Sequence, residues 1–322
     1  MTVDICIPEP TRSYSGGFCD LLQGYHRTTG VTLAMKRIRV SGRTGGCKSD
    51  PLVTLKRRIS REAMIWDSLR HTNVLLFLGV AEVSDATYLV SPWMEHGDLH
   101  GFVAPHIEFP QLNREQRDEL DPRTIFYRTF NEYDVIAGIV DGIAYLHANN
   151  IIHGDLKAAN ILLDDVLHPK ICDFGLTKVM HTEYALTSAS LKRAVSYRWM
   201  SPELLMEGER AVKTTASDIY AFGMTIAEIL SAQLPFWHVQ SALFIALAVI
   251  AGQRPQPEPL TREGQPFQDL WCLADSCWKS EPPSRPTAGD MVATLARGDR
   301  FENRVGQAAP VVATSGTFRH RI

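Results

Sequence analysis

The sequence predicts an α+β fold in which a small antiparallel sheet precedes a mainly helical region. Three observations carry this reading. Strand-like runs broken by turn residues fill most of the chain up to Ser91, and apolar-periodic helical stretches dominate from Tyr133 onward. Between the first helical stretch and the rest lies Ile151 to Thr177, a short hairpin flanked by two polar clusters. At 322 residues the chain can hold one large domain or a two-lobed one with a sizeable core.

Residues 1–11 are short and Pro-containing, and are expected to be poorly ordered. From Arg12 to Val40 a turn-rich strand is followed by further strand, with Thr29-Gly30 as the turn before Val31 to Lys36. Ser41 to Val53 is a polar, glycine-bearing insertion. Leu55 to Leu69 has helical periodicity, with Ile59, Ala63 and Trp66 on one face and Glu62 mid-helix. His71 to Gly79 leads into two more strands ending at Tyr88-Leu89-Val90-Ser91. The charged, proline-bearing segment at about 105–130 reads as a surface insertion, equally a docking surface or a neutral one. Tyr133 to His147 is an apolar-periodic helix, and Asp218-Ile219-Tyr220-Ala221-Phe222-Gly223 begins a strongly apolar one. Residues 294–322 read as a loose tail.

Composition narrows the function classes. Hydrophobic content of 45% and charged content of 21% are those of a soluble globular protein. A net charge of −3 gives no electrostatic case for nucleic acid or an anionic membrane. The six cysteines are scattered without a zinc spacing, which fits reduced thiols. The longest apolar run, Ala242 to Gly252, is well short of the ~20 residues of a membrane span. Met1-Thr2-Val3-Asp4 shows neither a myristoylation pattern nor a basic targeting segment. A cytoplasmic monomer is expected.

The chemistry concentrates in the hairpin. His153-Gly154-Asp155-Leu156-Lys157-Ala158-Ala159-Asn160 precedes Ile161-Leu162-Leu163, and Lys170-Ile171-Cys172 precedes Asp173-Phe174-Gly175. A turn at Asp164 to Pro169 brings both ends back together and presents Asp155, Lys157, Asn160 and Asp173 at one mouth. Phosphoryl transfer from a magnesium nucleotide needs such groups, because the protein positions a nucleophile and neutralises charge on the transferring group. Asp155 would accept the substrate hydroxyl proton and Lys157 would steady the γ-phosphate. Asn160 and Asp173 offer hard oxygen ligands to Mg²⁺. Cys172, beside Asp173, reads as a small buried hydrophobe; a nucleotide-shielded thiol is the alternative.

H-x-D-x-K-x-x-N followed by D-F-G resembles the catalytic loop and metal-binding motif of protein kinases. The resemblance covers residues 12 to about 293 and implies a two-lobed kinase fold with ATP and Mg²⁺ as cofactors and a protein as substrate. The small lobe would span 12–91, the hinge 92–97 and the large lobe 98–293. Val31 to Lys36 is similar to the family's V-A-I-K strand, which places Lys36 on the nucleotide α- and β-phosphates with Glu62 as its ion-pair partner. The phosphate-covering loop departs from G-x-G-x-x-G-x-V. Aligned on Phe18 and Leu21, only Gly16 falls on a family glycine; Tyr14 and Cys19 replace the others and Gly17 is out of register. Ser91 takes the gatekeeper position, backbone groups of Pro92, Trp93 and Met94 would meet the adenine edge, and Ala34 and Leu162 would sandwich the ring. Pro92 has no N–H, so Met94 must supply the hinge donor.

Residues 176–197 correspond to the activation segment, with Thr182, Tyr184, Thr187, Ser188 and Ser190. Kinases switched by a phosphate there usually place an arginine before the catalytic aspartate, and this chain has Gly154. Activity is therefore expected not to depend strongly on that modification. Ser201-Pro202-Glu203 matches the A-P-E region, and Ser284-Arg285-Pro286-Thr287 supplies the arginine that pairs with Glu203 in the family. Lys157 points to Ser/Thr transfer, whereas Trp199-Met200 and Cys277-Trp278 look like tyrosine kinases and the tyrosine kinase-like group. The combination resembles a tyrosine kinase-like Ser/Thr kinase, in the H-G-D-L-K form common among single-domain fungal kinases. The alternatives are a pseudokinase, favoured by the degenerate glycine loop, and a small-molecule phosphotransferase, disfavoured by Asp173-Phe174-Gly175.

Overall fold

Strand-forming runs in the first third of the chain pair into one antiparallel sheet. Its strands are β1 (Ile5–Cys6), β2 (Ser13–Ser15), β3 (Cys19–His26), β4 (Thr32–Ile38), β5 (Gly79–Val83) and β6 (Ala86–Pro92), in the order β1-β3-β4-β6-β5 with β2 also on β3. The computed structural model describes residues 4–7, 13–15, 19–38, 63–83, 86–103, 130–173, 196–256 and 265–297. The β3–β4 hairpin closes where expected: His26 N donates to Val31 O at 2.9 Å, and Gly30 takes the left-handed conformation at φ 68°.

Side chains alternate across a strand, so β4 serves two faces. Leu33 and Met35 pack into an outer core with Ile5, Ala81, Tyr88 and Val90. Ala34 and Lys36 lie on the opposite face, in register with Ser91 and Leu89 of β6 and with Gln23 and Leu21 of β3. One residue of slip would turn Lys36 away from that face.

The N-terminus corrects one expectation. Residues 1–11 are not all loose: β1 pairs with the far end of β3, Ile5 against His26 and Cys6 against Tyr25. Ile5 is buried, and Asp4 pairs with Arg27 at 2.9 Å. Gly24 makes room for this strand, since a Cβ there would stand 3.0 Å from the Ile5 side chain.

The second region is helical. Its helices are α1 (Leu99–Val103), α2 (Glu132–Ala148), α3 (Pro202–Glu207), α4 (Thr215–Ser231), α5 (Ala242–Ile250), α6 (Gln265–Cys277) and α7 (Ala288–Arg297). α2 is capped by Asn131 and buries Val135, Ile136, Ile139, Val140, Ile143 and Leu146, one stripe of a 3.6-residue period. α4 starts at a Thr214–Ser217 capping box and is buried on every side from Ser217 to Leu230, as expected of a helix apolar all round. It is the axis of this part of the molecule.

β7 (Ile161–Leu163) and β8 (Pro169–Ile171) form the hairpin, with Ile161 opposite Ile171. Asp164 Oδ1 accepts from the Val166 and His168 backbone, which closes the turn. β8 also bonds to the segment ahead of β5: Leu75 N donates to Ile171 O and Ile171 N to Asn73 O, both at 2.9 Å. The hairpin is thereby tied to the sheet-bearing half of the chain. Residues 63–67 are helical, and Trp66 Nε1 donates to Leu75 O at 2.6 Å.

A second correction lies at the other end. The tail is expected to start at 294, but α7 continues to Arg297 and Tyr133 OH donates to Leu295 O at 3.2 Å. The apolar face of α7 docks on α2, so those residues belong to the packed domain. The expected insertion lies outside the described residues except for Phe130. No helix among the described residues is long and apolar enough to cross a membrane.

Candidate active site

The loop ahead of β7 is held from behind by two carboxylates of α4. Asp218, buried in the helix's first turn, accepts from His153 N at 2.8 Å, Gly154 N at 2.7 Å and His147 Nε2 at 3.0 Å. Glu228, almost three turns further on, accepts from Ala158 N at 3.1 Å, Trp199 Nε1 at 3.0 Å and His100 Nδ1 at 2.8 Å. A buried carboxylate costs several kcal/mol unless it is fully hydrogen-bonded. Here the donors are the backbone of the loop itself, so satisfying the charges sets the loop's course.

His153 staples the two halves of the site together. Its Nδ1 accepts from Asp155 N at 3.2 Å and its Nε2 donates to Cys172 O at 2.9 Å. An acceptor on one nitrogen and a donor on the other define a neutral ring. Burial pushes its pKa down, which keeps it neutral despite the nearby aspartates. Through this ring the backbone of Asp155 is linked to the residue preceding Asp173. Cys172 N also donates to Asn160 O at 3.0 Å, and the buried Cys172 thiol reaches the same oxygen at 3.3 Å. Cys172 is thus a packed thiol.

These links converge Asp155, Lys157, Asn160 and Asp173 as the hairpin spacing requires. Asp155 Oδ2 accepts from Lys157 Nζ at 2.8 Å and from Asn160 Nδ2 at 3.1 Å; Asn160 Nδ2 also donates to Asp155 O at 2.6 Å. Burial raises the Asp155 pKa, but the Lys157 charge and hydrogen bond, with His153 and Ser196, outweigh it and hold the carboxyl below the usual range. Asp155 is an anion at neutral pH. Because the amide nitrogen of Asn160 is committed to Asp155, its oxygen stays available as a hard ligand.

Lys36, from β4, forms an ion pair with Asp173 Oδ1, and its side chain is only 13% exposed. Asp173 itself sits at φ 60°, a conformation that a non-glycine residue holds only when its surroundings enforce it. Among the described residues no three His, Cys, Asp or Glu side chains converge on a metal by themselves. Asn160 and Asp173 fit a cation that completes its shell with phosphate oxygens and water.

Ala34 and Ser91 are buried neighbours across β4 and β6, and Leu162 of β7 is half-buried beside Asp98. Trp93 N already donates to Thr32 O at 3.2 Å, so that N–H is not a donor for a ligand. Leu21 stands opposite Lys36 in the sheet. Glu62, Gly16, Gly17, Phe174 and Gly175 lie outside the described residues.

Ser196 joins this cluster although the sequence does not single it out. Its Oγ donates to Asp155 Oδ1 at 3.0 Å and lies 3.4 Å from Lys157 Nζ. Its only signal was a hydroxyl just ahead of Tyr197, in a segment rich in hydroxyls. Further out, Arg285 grips Glu203 through two bonds of 2.8 Å with its guanidinium buried, a structural clasp.

The family described as protein tyrosine and serine/threonine kinase matches residues 16–295. The chain is similar to serine/threonine/tyrosine-protein kinase HT1 of Arabidopsis thaliana, at 26% identity over 93% of this chain and 67% of that protein. It is also similar to receptor-interacting serine/threonine-protein kinase 2 of Bos taurus, at 30% identity over 81% of this chain and 46% of the relative. Receptor-interacting serine/threonine-protein kinase 3 of Rattus norvegicus is 30% identical over 85% of this chain and 52% of its own length. The chain therefore spans about half the length of the two receptor-interacting relatives.

Proposed function

Because the chain belongs to the protein tyrosine and serine/threonine kinase family and carries its ATP- and divalent-metal-dependent catalytic domain, we propose that it phosphorylates Ser/Thr hydroxyls of proteins with Asp155 as the base. The observation that carries this is the Asp155 carboxylate. It is ionised and fixed on one oxygen by Ser196 and on the other by Lys157 and Asn160. A base must be within hydrogen-bond reach of the proton it takes and must be unprotonated at working pH. Lys157 would shift from Asp155 toward the γ-phosphate as negative charge develops there.

Lys36 would hold the α- and β-phosphates, with Glu62 as its second partner, and Asn160 and Asp173 would hold Mg²⁺. Bound metal supplies charge neutralisation to the transferring group. Ala34, Leu162, Leu21 and Ser91 would line the adenine slot, with Gly16 and Gly17 above the phosphates. With the Trp93 N–H committed to Thr32 and no N–H at Pro92, the hinge donor falls to Met94. A cytoplasmic address fits the free thiols of Cys6, Cys172, Cys272 and Cys277.

The test is transfer of labelled γ-phosphate from Mg-ATP to a mixed Ser/Thr/Tyr peptide pool, with Asp155→Asn as control. Label on Ser/Thr that vanishes in the variant supports the reading, and label on Tyr corrects the acceptor. Label no greater than that of the variant, in folded protein across several metals, would favour a pseudokinase.

A further inference from the structure

One cation next to the base belongs to none of the motifs. Lys213, in the loop ahead of α4, donates from Nζ to the carbonyl oxygen of Gly154. Gly154 sits at φ 74°, and a Cβ built on it would stand 2.6 Å from Lys213 Cδ and 3.2 Å from its Nζ. The lysine stem therefore occupies the space that any side chain at 154 would need. The charged groups around its ammonium are Asp155 and Lys157 of the catalytic loop and Asp218 of α4, with His147 on the far side of Asp218.

The two backbone groups of Gly154 are thus both committed to charges. Its N–H goes to the Asp218 carboxylate and its carbonyl to the Lys213 ammonium. We propose that Lys213 is a positioning residue that, together with Asp218, clamps the peptide ahead of Asp155 and aims the base without a charge brought in by phosphorylation. Burial lowers the Lys213 pKa to about 8 against the pull of Asp155 and Asp218. An ammonium partly withdrawn from water bonds a carbonyl more strongly than a solvated one does. The aim of Asp155 matters because a displacement of about 1 Å can cost about 100-fold in rate.

The inference rests on the kinase reading for its catalytic consequence but not for the clamp, so two readouts are needed. Amide hydrogen exchange over residues 153–156 in the full chain reports the clamp without turnover. Phosphate transfer reports kcat and the KM for ATP. In Lys213→Met, exchange over 153–156 should accelerate about tenfold while α2 and α4 stay protected. In the same variant kcat should fall about 10- to 100-fold with KM for ATP within about twofold. Lys213→Arg, which keeps charge and donor, should retain most of both. Gly154→Ala should lose activity in wild type through its φ and its clash with Lys213. Its additional cost in Lys213→Met should be smaller, because the clash is gone. Unchanged exchange over 153–156 in Lys213→Met overturns the clamp. So does exchange rising equally in α2 and α4, while lost protection with undiminished kcat overturns the role of the clamp in aiming Asp155. If wild type transfers no phosphate, the kinase reading fails, and the exchange result still decides the clamp.

Discussion

Ser196 Oγ donates to Asp155 Oδ1 at 3.0 Å and lies 3.4 Å from Lys157 Nζ, so one hydroxyl bridges the base and its neighbouring cation. A serine oxygen can accept from the lysine while its proton goes to the carboxylate. The bond holds Asp155 by the oxygen that Lys157 and Asn160 leave free. Removing a hydrogen bond to a charged group costs about 1.5–3 kcal/mol, and tenfold in rate corresponds to about 1.4 kcal/mol. Ser196→Ala should therefore lower kcat about tenfold and leave the KM for ATP unchanged, whereas Ser196→Thr should keep most activity. Steady-state kinetics check this; an Ala variant at wild-type kcat would show that the hydroxyl is incidental.

The ionisation of Asp155 has a direct pH consequence. Its pKa is depressed because Lys157 and its other partners outweigh burial, so it remains deprotonated well below neutral pH. Asp155 should produce no acidic limb in kcat above about pH 5, since an ordinary aspartate already titrates near 3.9. Asp155→Asn should cost about 100- to 10,000-fold in kcat while ATP binding by calorimetry stays close to wild type. A kcat profile with a limb near pH 6 that disappears in Asp155→Asn would contradict the assigned electrostatics.

The convergence of the charged side chains at this site is legible in the sequence, and its support is not. Asp155, Lys157, Asn160 and Asp173 announce themselves because a short hairpin returns its two ends to one place, whereas Lys36 is picked out only by the resemblance of Val31 to Lys36 to the family's V-A-I-K strand. Asp218 read only as the start of an apolar helix, and Glu228 carried no signal at all. A carboxylate in a helix is ordinary until the fold sets backbone N–H groups against it. Lys213 was silent for the same reason, since its meaning depends on a glycine 59 positions away. β1 was missed because two residues cannot show a period, and their pairing with Tyr25 and His26 is non-local.

The bond between His100 and Glu228 makes stability depend on pH near neutrality. Glu228 is buried and hydrogen-bonds His100 Nδ1, which raises the His100 pKa despite partial burial. A group whose pKa is higher in the folded state stabilises most below its unfolded pKa of about 6.5 and loses that contribution as pH rises through the folded value. His100 is about a third exposed at 34%, so solvent screening holds the expected gain to about 1 kcal/mol. Urea unfolding of wild type and His100→Gln should differ by about this amount near pH 6 and converge near pH 9. A difference that does not change with pH would mean that packing, not charge, holds the histidine.

Gly154 also bears on how the enzyme is switched. An arginine at this position could reach a phosphate on the activation segment with a bidentate grip. Here the position has no side chain, its N–H is held by Asp218 and its carbonyl by Lys213. The loop is braced from inside the domain, so a phosphate on Thr182, Tyr184, Thr187, Ser188 or Ser190 has no arginine at 154 to pull on. Protein treated with phosphatase should keep most of its activity toward peptide, within about twofold of the untreated enzyme by the usual conversion of rate to free energy. Gly154→Arg should not create a phosphate switch, because a side chain at φ 74° would be strained and would collide with Lys213. It should instead lower kcat whether or not the protein is phosphorylated. Loss of most activity on dephosphorylation, restored by rephosphorylation, would show that another cation reads the segment and that internal bracing is not sufficient.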